Sequence, residues 1–492
     1  MPRAQIHGWF SASAALLAAA CLTACGGGGS SGYPAVGVVD GSEDEVVFQP
    51  GQVLTYEVTM TPADWADLEA HGILEEWMPA SLVVRGERGG PVDLGQVGFR
   101  HKGAFGTLGT CWGAPTLDED GDPSVDTRDE TLSRPRLDLP HCRKISYKFK
   151  FNEYASTRYH GLKKLNLHAG SRDPSMLREM LAYSTYFDFG VDAPRTAPAR
   201  LFINDTFIGL FIAVEDVDDR YAAYHYPQAA GGSLYKEVWP NPAGREWLGE
   251  AGFTEYVEDG QEEGDGPADF LAFTTAVADA VDQGSTGPIS SHVDVEGLLR
   301  YMAVDRGIEN WDGVTAIYSC PGPECFPLGP HNYFWYRDTA VDGRFHLIPW
   351  DMDNTFPWCD WYVEDCGMGA DHPLPNWNVK PVDCSPVGVW DNAWVVPSGC
   401  DPFLNLLAST EWERFEELGR ELAAGPLRPS VLRSKVNRWA RLIEPLVEED
   451  PVLGLDVDAW RYERDNLLND ILVRAAPELI EHVEAGYVVE EP

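Results

Sequence analysis

Apolar and polar positions alternate along the first half of this chain and recur with a helical period along the second. The strictest alternation runs from Ile145 to Phe151. Ile145, Tyr147, Phe149 and Phe151 fall on one face and Ser146, Lys148 and Lys150 on the other, which predicts a half-buried strand. Further strands are predicted at 53–60, 81–85, 96–102, 162–167 and 233–238, with a hairpin of Arg200 to Ile203 and Phe207 to Val214 about Asn204-Asp205. Thr61 and Pro62 announce a short helix over 63–71 as cap and first residue. Asp173-Pro174 reads the same way for a helix through Leu177, Met180, Leu181, Tyr183 and Phe187, stopped by Gly190. From residue 265 the pattern turns helical, at 268–281, 295–308, 410–424, 429–448 and 457–484, with strands at 332–337 and 344–348 between them. Residues 357–402 are rich in Cys, Pro and Trp and show little periodicity. A β-rich part with one key helix, then a mostly helical part, predicts an α+β fold of two lobes, about 51–240 and about 265–492, with a cleft between them.

Composition places the chain. Arg3 followed by the apolar stretch from Trp9 to Ala20 reads as an export signal over residues 1–24, too short for a spanning helix of about 20 residues. Leu22-Thr23-Ala24-Cys25 resembles a bacterial lipobox, so Cys25 would be lipidated and anchor the chain to a membrane, with residues 25–50 as a flexible linker. An ordinary cleaved signal with a chance cysteine is the alternative. Beyond Cys21 and Cys25 the chain holds Cys111, Cys142, Cys320, Cys325, Cys359, Cys366, Cys384 and Cys400. An even set in an exported chain points to disulfides, and the absence of any C-x₂-C pair argues against zinc. The formal charge of −41 disfavours a nucleic-acid partner, which needs Lys and Arg against its phosphates. Asp118, Asp120, Asp122 and Asp126 form an acidic loop that is either simply solvated or a Ca²⁺ site, though it lacks a full ligand pattern.

The residues that could carry chemistry are few. Ile348-Pro349-Trp350-Asp351-Met352-Asp353-Asn354-Thr355-Phe356 puts two carboxylates at a strand tip among large apolar groups, where either a cation or hydrogen bonds compensate their desolvation, or the two acids simply cap a turn. Hairpin geometry would return Asn332 to Asp351 and Asp353, and an amide oxygen beside carboxylates makes a Mg²⁺ shell. Glu179 lies among Leu177, Met180, Leu181 and Tyr183, so it is either paired, most simply with Lys148, or the two are unrelated surface charges. Asp312, before Gly313 at the end of a helix, is either turn chemistry or a carboxylate offered to a substrate hydroxyl.

Lys164 to Leu167, Met176 to Tyr183, Val191-Asp192-Ala193-Pro194-Arg195, Leu201 to Asn204 with Gly209-Leu210-Phe211, Val214-Glu215-Asp216-Val217, Leu234-Tyr235-Lys236, His331-Asn332-Tyr333 and Ile348 to Phe356 occur in this order. Together they resemble the CotH family of spore-coat and secreted protein kinases, from about residue 50 to the C-terminal helices. The resemblance implies an atypical protein-kinase-like fold that uses ATP with Mg²⁺, or Mn²⁺, to phosphorylate Ser or Thr of secreted or surface proteins. It implies Lys148, rather than Lys150 or Arg100, on the nucleotide phosphates with Glu179 orienting it. Glu215 and Lys236 would also serve the nucleotide. Asp312 would receive the substrate hydroxyl, and Asp351 would hold the metal with Asn332 and Asp353. The family's early Arg-x-Lys-Gly stands here as Arg100-His101-Lys102-Gly103, followed by an insertion to Cys142, and a second insertion, Thr315 to Pro330, separates Asp312 from Asn332. A surface lipoprotein that keeps the fold for binding or adhesion, and a Ca²⁺-stabilised envelope protein, are the alternatives.

Overall fold

Seven strands close on themselves in the computed structural model: β1 (Leu54–Thr59), β2 (Met78–Arg85), β3 (Val92–Lys102), β4 (Ser146–Lys150), β5 (Lys164–His168), β6 (Thr196–Ile203) and β7 (Thr206–Val214), in the order β1-β2-β3-β4-β5-β7-β6. Neighbours are antiparallel except β1 and β6, whose parallel pairing seals the ring and leaves no open edge. The structure describes residues 43–103, 144–170, 173–227, 232–240, 257–259, 266–319, 329–339, 342–356, 376–390 and 393–491, all within the unit Gly41–Pro492. The predicted signal and Cys25, the acidic loop at Asp118, Asp120, Asp122 and Asp126, and the cysteines other than Cys384 and Cys400 lie outside these residues. Cys384 and Cys400 form a disulfide. No helix among the described residues is long and apolar enough to cross a membrane.

The alternation in β4 does what its pattern implies. Tyr147 and Phe149 point into the barrel, where Tyr147 stacks on Phe99 at 4.9 Å and Phe149 on Tyr56 at 5.7 Å, while Ser146, Lys148 and Lys150 lie on the other face. The β6–β7 hairpin turns through Asn204 and Asp205, both in the left-handed region (φ 49° and 63°), as a two-residue type I′ turn requires. A second sheet, in the order β12-β11-β8-β9, is formed by β12 (Phe345–Pro349), β11 (Tyr333–Arg337), β8 (Ser233–Lys236) and β9 (Val257–Asp259).

The helices are α1 (Pro62–His71), α2 (Arg178–Asp188), α3 (Asp219–His225), α4 (Gly266–Gln283), α5 (Val295–Gly307), α6 (Pro402–Ala424), α7 (Pro429–Glu449), α8 (Val457–Asn466) and α9 (Leu472–Ala485). In α7, Leu432, Val436, Trp439, Ala440, Ile443 and Val447 form the buried stripe. One hydrophobic core fills the barrel, and a larger one joins α2, the second sheet and the C-terminal helices.

Three boundaries differ from the sequence expectation. α2 starts at Arg178 rather than at Asp173, because Met176 takes a left-handed conformation (φ 57°). Asp173 still caps, accepting the N–H groups of Ser175 at 3.0 Å and Arg178 at 2.7 Å. α6 starts at Pro402, inside the stretch with little periodicity, since Asp401 caps Phe403 and Leu404 ahead of it. The helix expected over 457–484 is interrupted by a π-helical turn, Leu467–Ile471, which brings Leu467, Leu468 and Ile471 onto the core together with Leu472 of α9.

Candidate functional site

Ends of elements from both cores meet at one place. The barrel contributes Lys102 at the end of β3, Lys148 from β4 and His168 at the end of β5. The larger core contributes Glu179 from the first turn of α2, Lys236 from the end of β8, Asn332 just before β11 and Asp351 just after β12. The register Tyr333↔Pro349 and the bond from the Trp350 N–H to the Asn332 carbonyl, 3.0 Å, set Asn332 beside Asp351. The backbone is turned sharply here. Glu237, Glu309, Asn332, Asp351 and Phe356 all have φ between 50° and 63°. Left-handed residues other than glycine cost about 1–3 kcal/mol, less for Asn and Asp, and tend to gather where geometry serves function.

His168, Glu179 and Asp351 offer ligand atoms within 4.8 Å of one another. His168 Nδ1 lies 2.7 Å from Glu179 Oε1 and 4.0 Å from Asp351 Oδ1. Glu179 is buried, whereas the Asp351 side chain is 44% exposed and so reaches the solvent edge. The Asp351 N–H donates to the Tyr183 hydroxyl of α2 at 2.9 Å, fixing the turn. Burial, with Asp351 adding its charge, pushes the Glu179 carboxyl well above the usual range, and Lys102 opposes the shift. Burial and then Lys102 pull His168 down to about 3, so the imidazole is neutral. The Lys102 ammonium lies 5.2 Å from the Trp350 ring centroid. Its pKa is lowered by burial, with Asp351 opposing and Lys148 and Lys236 adding to the shift.

Asp312 sits in the loop after α5, held from three sides. Its Oδ1 accepts the Tyr318 hydroxyl and its Oδ2 the Asn354 amide at 2.8 Å, while its carbonyl accepts the Asn332 amide at 2.9 Å. That last bond orients the Asn332 amide, with the nitrogen toward the Asp312 carbonyl. Burial raises the Asp312 carboxyl above its usual range against the Tyr318 and Asn354 bonds. Beneath the loop, Asp305 Oδ1 accepts the Tyr186 hydroxyl at 3.0 Å and the Asn310 amide at 2.8 Å, and Asn310 Oδ1 in turn accepts the Asp312 N–H at 3.4 Å. A Cβ on Gly313 would press on Asn310 and Asp305, so only glycine closes this turn.

Asp305 is fully buried and its carboxyl is pushed by burial to about 7 from 3.8. A carboxyl raised in the folded state adds nothing below its unfolded value and destabilises increasingly as pH climbs to the folded value. Asp305→Asn should therefore gain stability relative to the unsubstituted protein by roughly 2–4 kcal/mol between pH 4 and pH 7 and level off above it, read from urea unfolding at each pH. A flat difference would contradict the assignment.

The family described as CotH kinase protein matches residues 140–474. The chain belongs to the CotH kinase family. It is 26% identical over 255 residues to the inner spore coat protein H of Bacillus subtilis, covering 49% of this chain and 63% of that protein. It is 23% identical over 194 residues to the invasin CotH2 of Rhizopus delemar, covering 37% of this chain and 30% of that protein. The chain thus spans less than two thirds of either relative.

For this CotH chain the expected pairing of Lys148 with Glu179 is corrected. Lys148 Nζ bonds Asp216 Oδ1 at 2.6 Å, and Glu179 bonds His168. Burial alone would raise Asp216, but Lys148 and Lys164 outweigh it and hold the carboxylate well below its usual range. Lys102, from the Arg100-His101-Lys102-Gly103 segment, is the lysine whose charge acts on Glu179. Glu215, read from the resemblance as a nucleotide residue, is instead occupied within the protein. Its carboxylate bonds the Arg195 guanidinium and accepts from His225 at 3.1 Å, and these cations overcome burial and hold it at about 2. Lys236 acts on Lys102 and lies next to Glu237, which accepts the Asn332 N–H at 3.0 Å. Asp353 lies in the one-turn helix Met352–Asn354 after Asp351. His168, Lys102 and Asp216 were not singled out from the sequence. Lys102 belongs to the Arg100-His101-Lys102-Gly103 segment, but no spacing ties His168, one residue past Leu167, to Glu179.

Proposed function

We propose that the chain is an ATP- and Mg²⁺-dependent protein kinase of the cell envelope that transfers the γ-phosphoryl group to Ser or Thr of secreted or surface proteins. On this reading the barrel with α2 and the helical part correspond to the two lobes of a kinase-like fold. The observation that carries it is the bonding of Asp312 to both Asn332 and Asn354 beside Asp351, which couples a hydroxyl-receiving acid to an oxygen-donor set. Such a set suits a hard cation: Asp351 and the Asn332 oxygen, with Asp353, would hold Mg²⁺ or Mn²⁺. When bound, the cation neutralises charge on the phosphates. Lys102 and Lys148 flank the same place and would orient those phosphates, with Glu179 and His168 positioning Lys102. Asp312 would take the proton of the acceptor hydroxyl.

Export and anchoring through a lipidated Cys25 belong to this proposal, supported by the N-terminal sequence and by the spore-coat relative. The name invasin on the second relative favours a binding or adhesion role as the second reading. Radiolabelled ATP with Mg²⁺ or Mn²⁺ and casein as acceptor tests the choice. The expected result is labelled casein, with Asp312→Asn slower by roughly 10²–10⁴-fold. Unlabelled casein, and a melting curve that ATP does not move, would shift the assignment to binding.

A further inference from the structure

Both carboxylate oxygens of Asp312 are already engaged by the protein, one by the Tyr318 hydroxyl and one by Asn354. Tyr318 belongs to β10 (Ile317–Ser319), directly beyond the Asp312 loop. Backbone pairing fixes it: Ile317↔Val396 and Ser319↔Trp394 lock β10 antiparallel to β13 (Ala393–Val396). The Tyr318 ring packs on His331 with centroids 5.2 Å apart. Its hydroxyl is thus delivered by a paired strand rather than by a loose tip. A hydroxyl donating to the acid that receives its proton is the arrangement an acceptor adopts in phosphoryl transfer. Asn354, on the other oxygen, ends the one-turn helix that begins next to Asp351. A single carboxylate therefore separates the Tyr318 hydroxyl from the turn assigned to the cation.

We propose that Tyr318 is an intramolecular phosphate acceptor, a modification site that occupies the substrate hydroxyl's place at Asp312. The inference rests on the kinase reading of the same site. In the step, Tyr318 Oη forms a bond to the γ-phosphorus of a nucleoside triphosphate. The bond from that phosphorus to the β,γ-bridging oxygen breaks and the nucleoside diphosphate leaves, while the phenolic proton passes to Asp312. The product carries about two negative charges beside a carboxylate. Repulsion then drives the ring off Asp312 and clears the acid for a hydroxyl from another protein.

The experiment incubates the purified full chain with ATP and Mg²⁺ or Mn²⁺ at several protein concentrations, with casein in parallel, and maps phosphate by tandem mass spectrometry. The expected result is phosphate on Tyr318 with the fraction of chain modified per unit time independent of protein concentration, and loss of that signal in Tyr318→Phe, which keeps the ring that packs on His331. Labelled casein with an unmodified Tyr318 overturns this inference alone. Self-labelling of Tyr318→Phe equal to that of the unsubstituted chain also overturns it, as does a fraction modified per unit time that climbs with protein concentration. No phosphate on either protein overturns it together with the kinase reading.

Discussion

Asp351→Ala is expected to lower ATP-dependent labelling of casein by roughly a thousandfold or more, the scale seen when a group that stabilises transferring charge is removed. Within the His168, Glu179 and Asp351 cluster, Asp351 is the member that reaches solvent, so it is the one able to meet a ligand. The other two are turned on each other, with Glu179 Oε1 2.7 Å from His168 Nδ1. Its place is set by the backbone: the left-handed conformation at the tip of β12 and the bond to Tyr183 hold the carboxylate where it is. Alanine tolerates that conformation less well, at about 1–2 kcal/mol, so Asp351→Asn is the companion variant. Asparagine keeps the turn and the shape but loses the charge. Equal labelling by Asp351→Asn and the unsubstituted protein would end the metal assignment, and unchanged melting of that variant would show that lost activity is not lost folding.

The largest stability effect is expected at Arg178. Arg178→Met should destabilise the protein by about 3–5 kcal/mol, the range for breaking a buried ion pair from one side. The arginine is fully buried at the start of α2. Its guanidinium bonds Asp173 Oδ1 at 3.2 Å, Glu463 Oε2 of α8 at 3.5 Å and the Phe356 carbonyl at 3.1 Å. Methionine fills similar volume but leaves the Asp173 and Glu463 carboxylates in the interior without this cation. Because the same side chain ties α2, which carries Glu179, to the end of the segment that carries Asp351, weakened activity should accompany the lost stability. An unfolding free energy from urea titration within about 0.5 kcal/mol of the original, the range of an ordinary surface change, would contradict this account.

What could be read along the chain was whatever depends on neighbours in sequence. The β4 alternation, the Asn204-Asp205 turn and the Thr61-Pro62 helix start are local, and each appears in the structure. The hairpin of β11 and β12 is local too, and it carries Asn332 back to Asp351. The partner of Glu179 was not legible. Lys148 was the nearest cation by pattern, yet the strand order brings His168 of β5 to Glu179 and leaves Lys148 to Asp216. The surroundings of Glu215 were hidden for a related reason: this conspicuous acid in a motif is engaged by Arg195 and His225, one just before β6 and the other in α3.

The order of the residues alone settled the α+β class and the family, because periodicity and an ordered run of motifs need no third dimension. Closure of the barrel, the His168–Glu179–Asp351 cluster and the contact of Tyr318 with Asp312 came only with the tertiary structure. Hydrogen bonds between β1 and β6, and polar groups on β5, on α2 and in the turn after β12, join positions many residues apart. Which of them meet depends on strand order and on the burial that decides where a charge can be compensated.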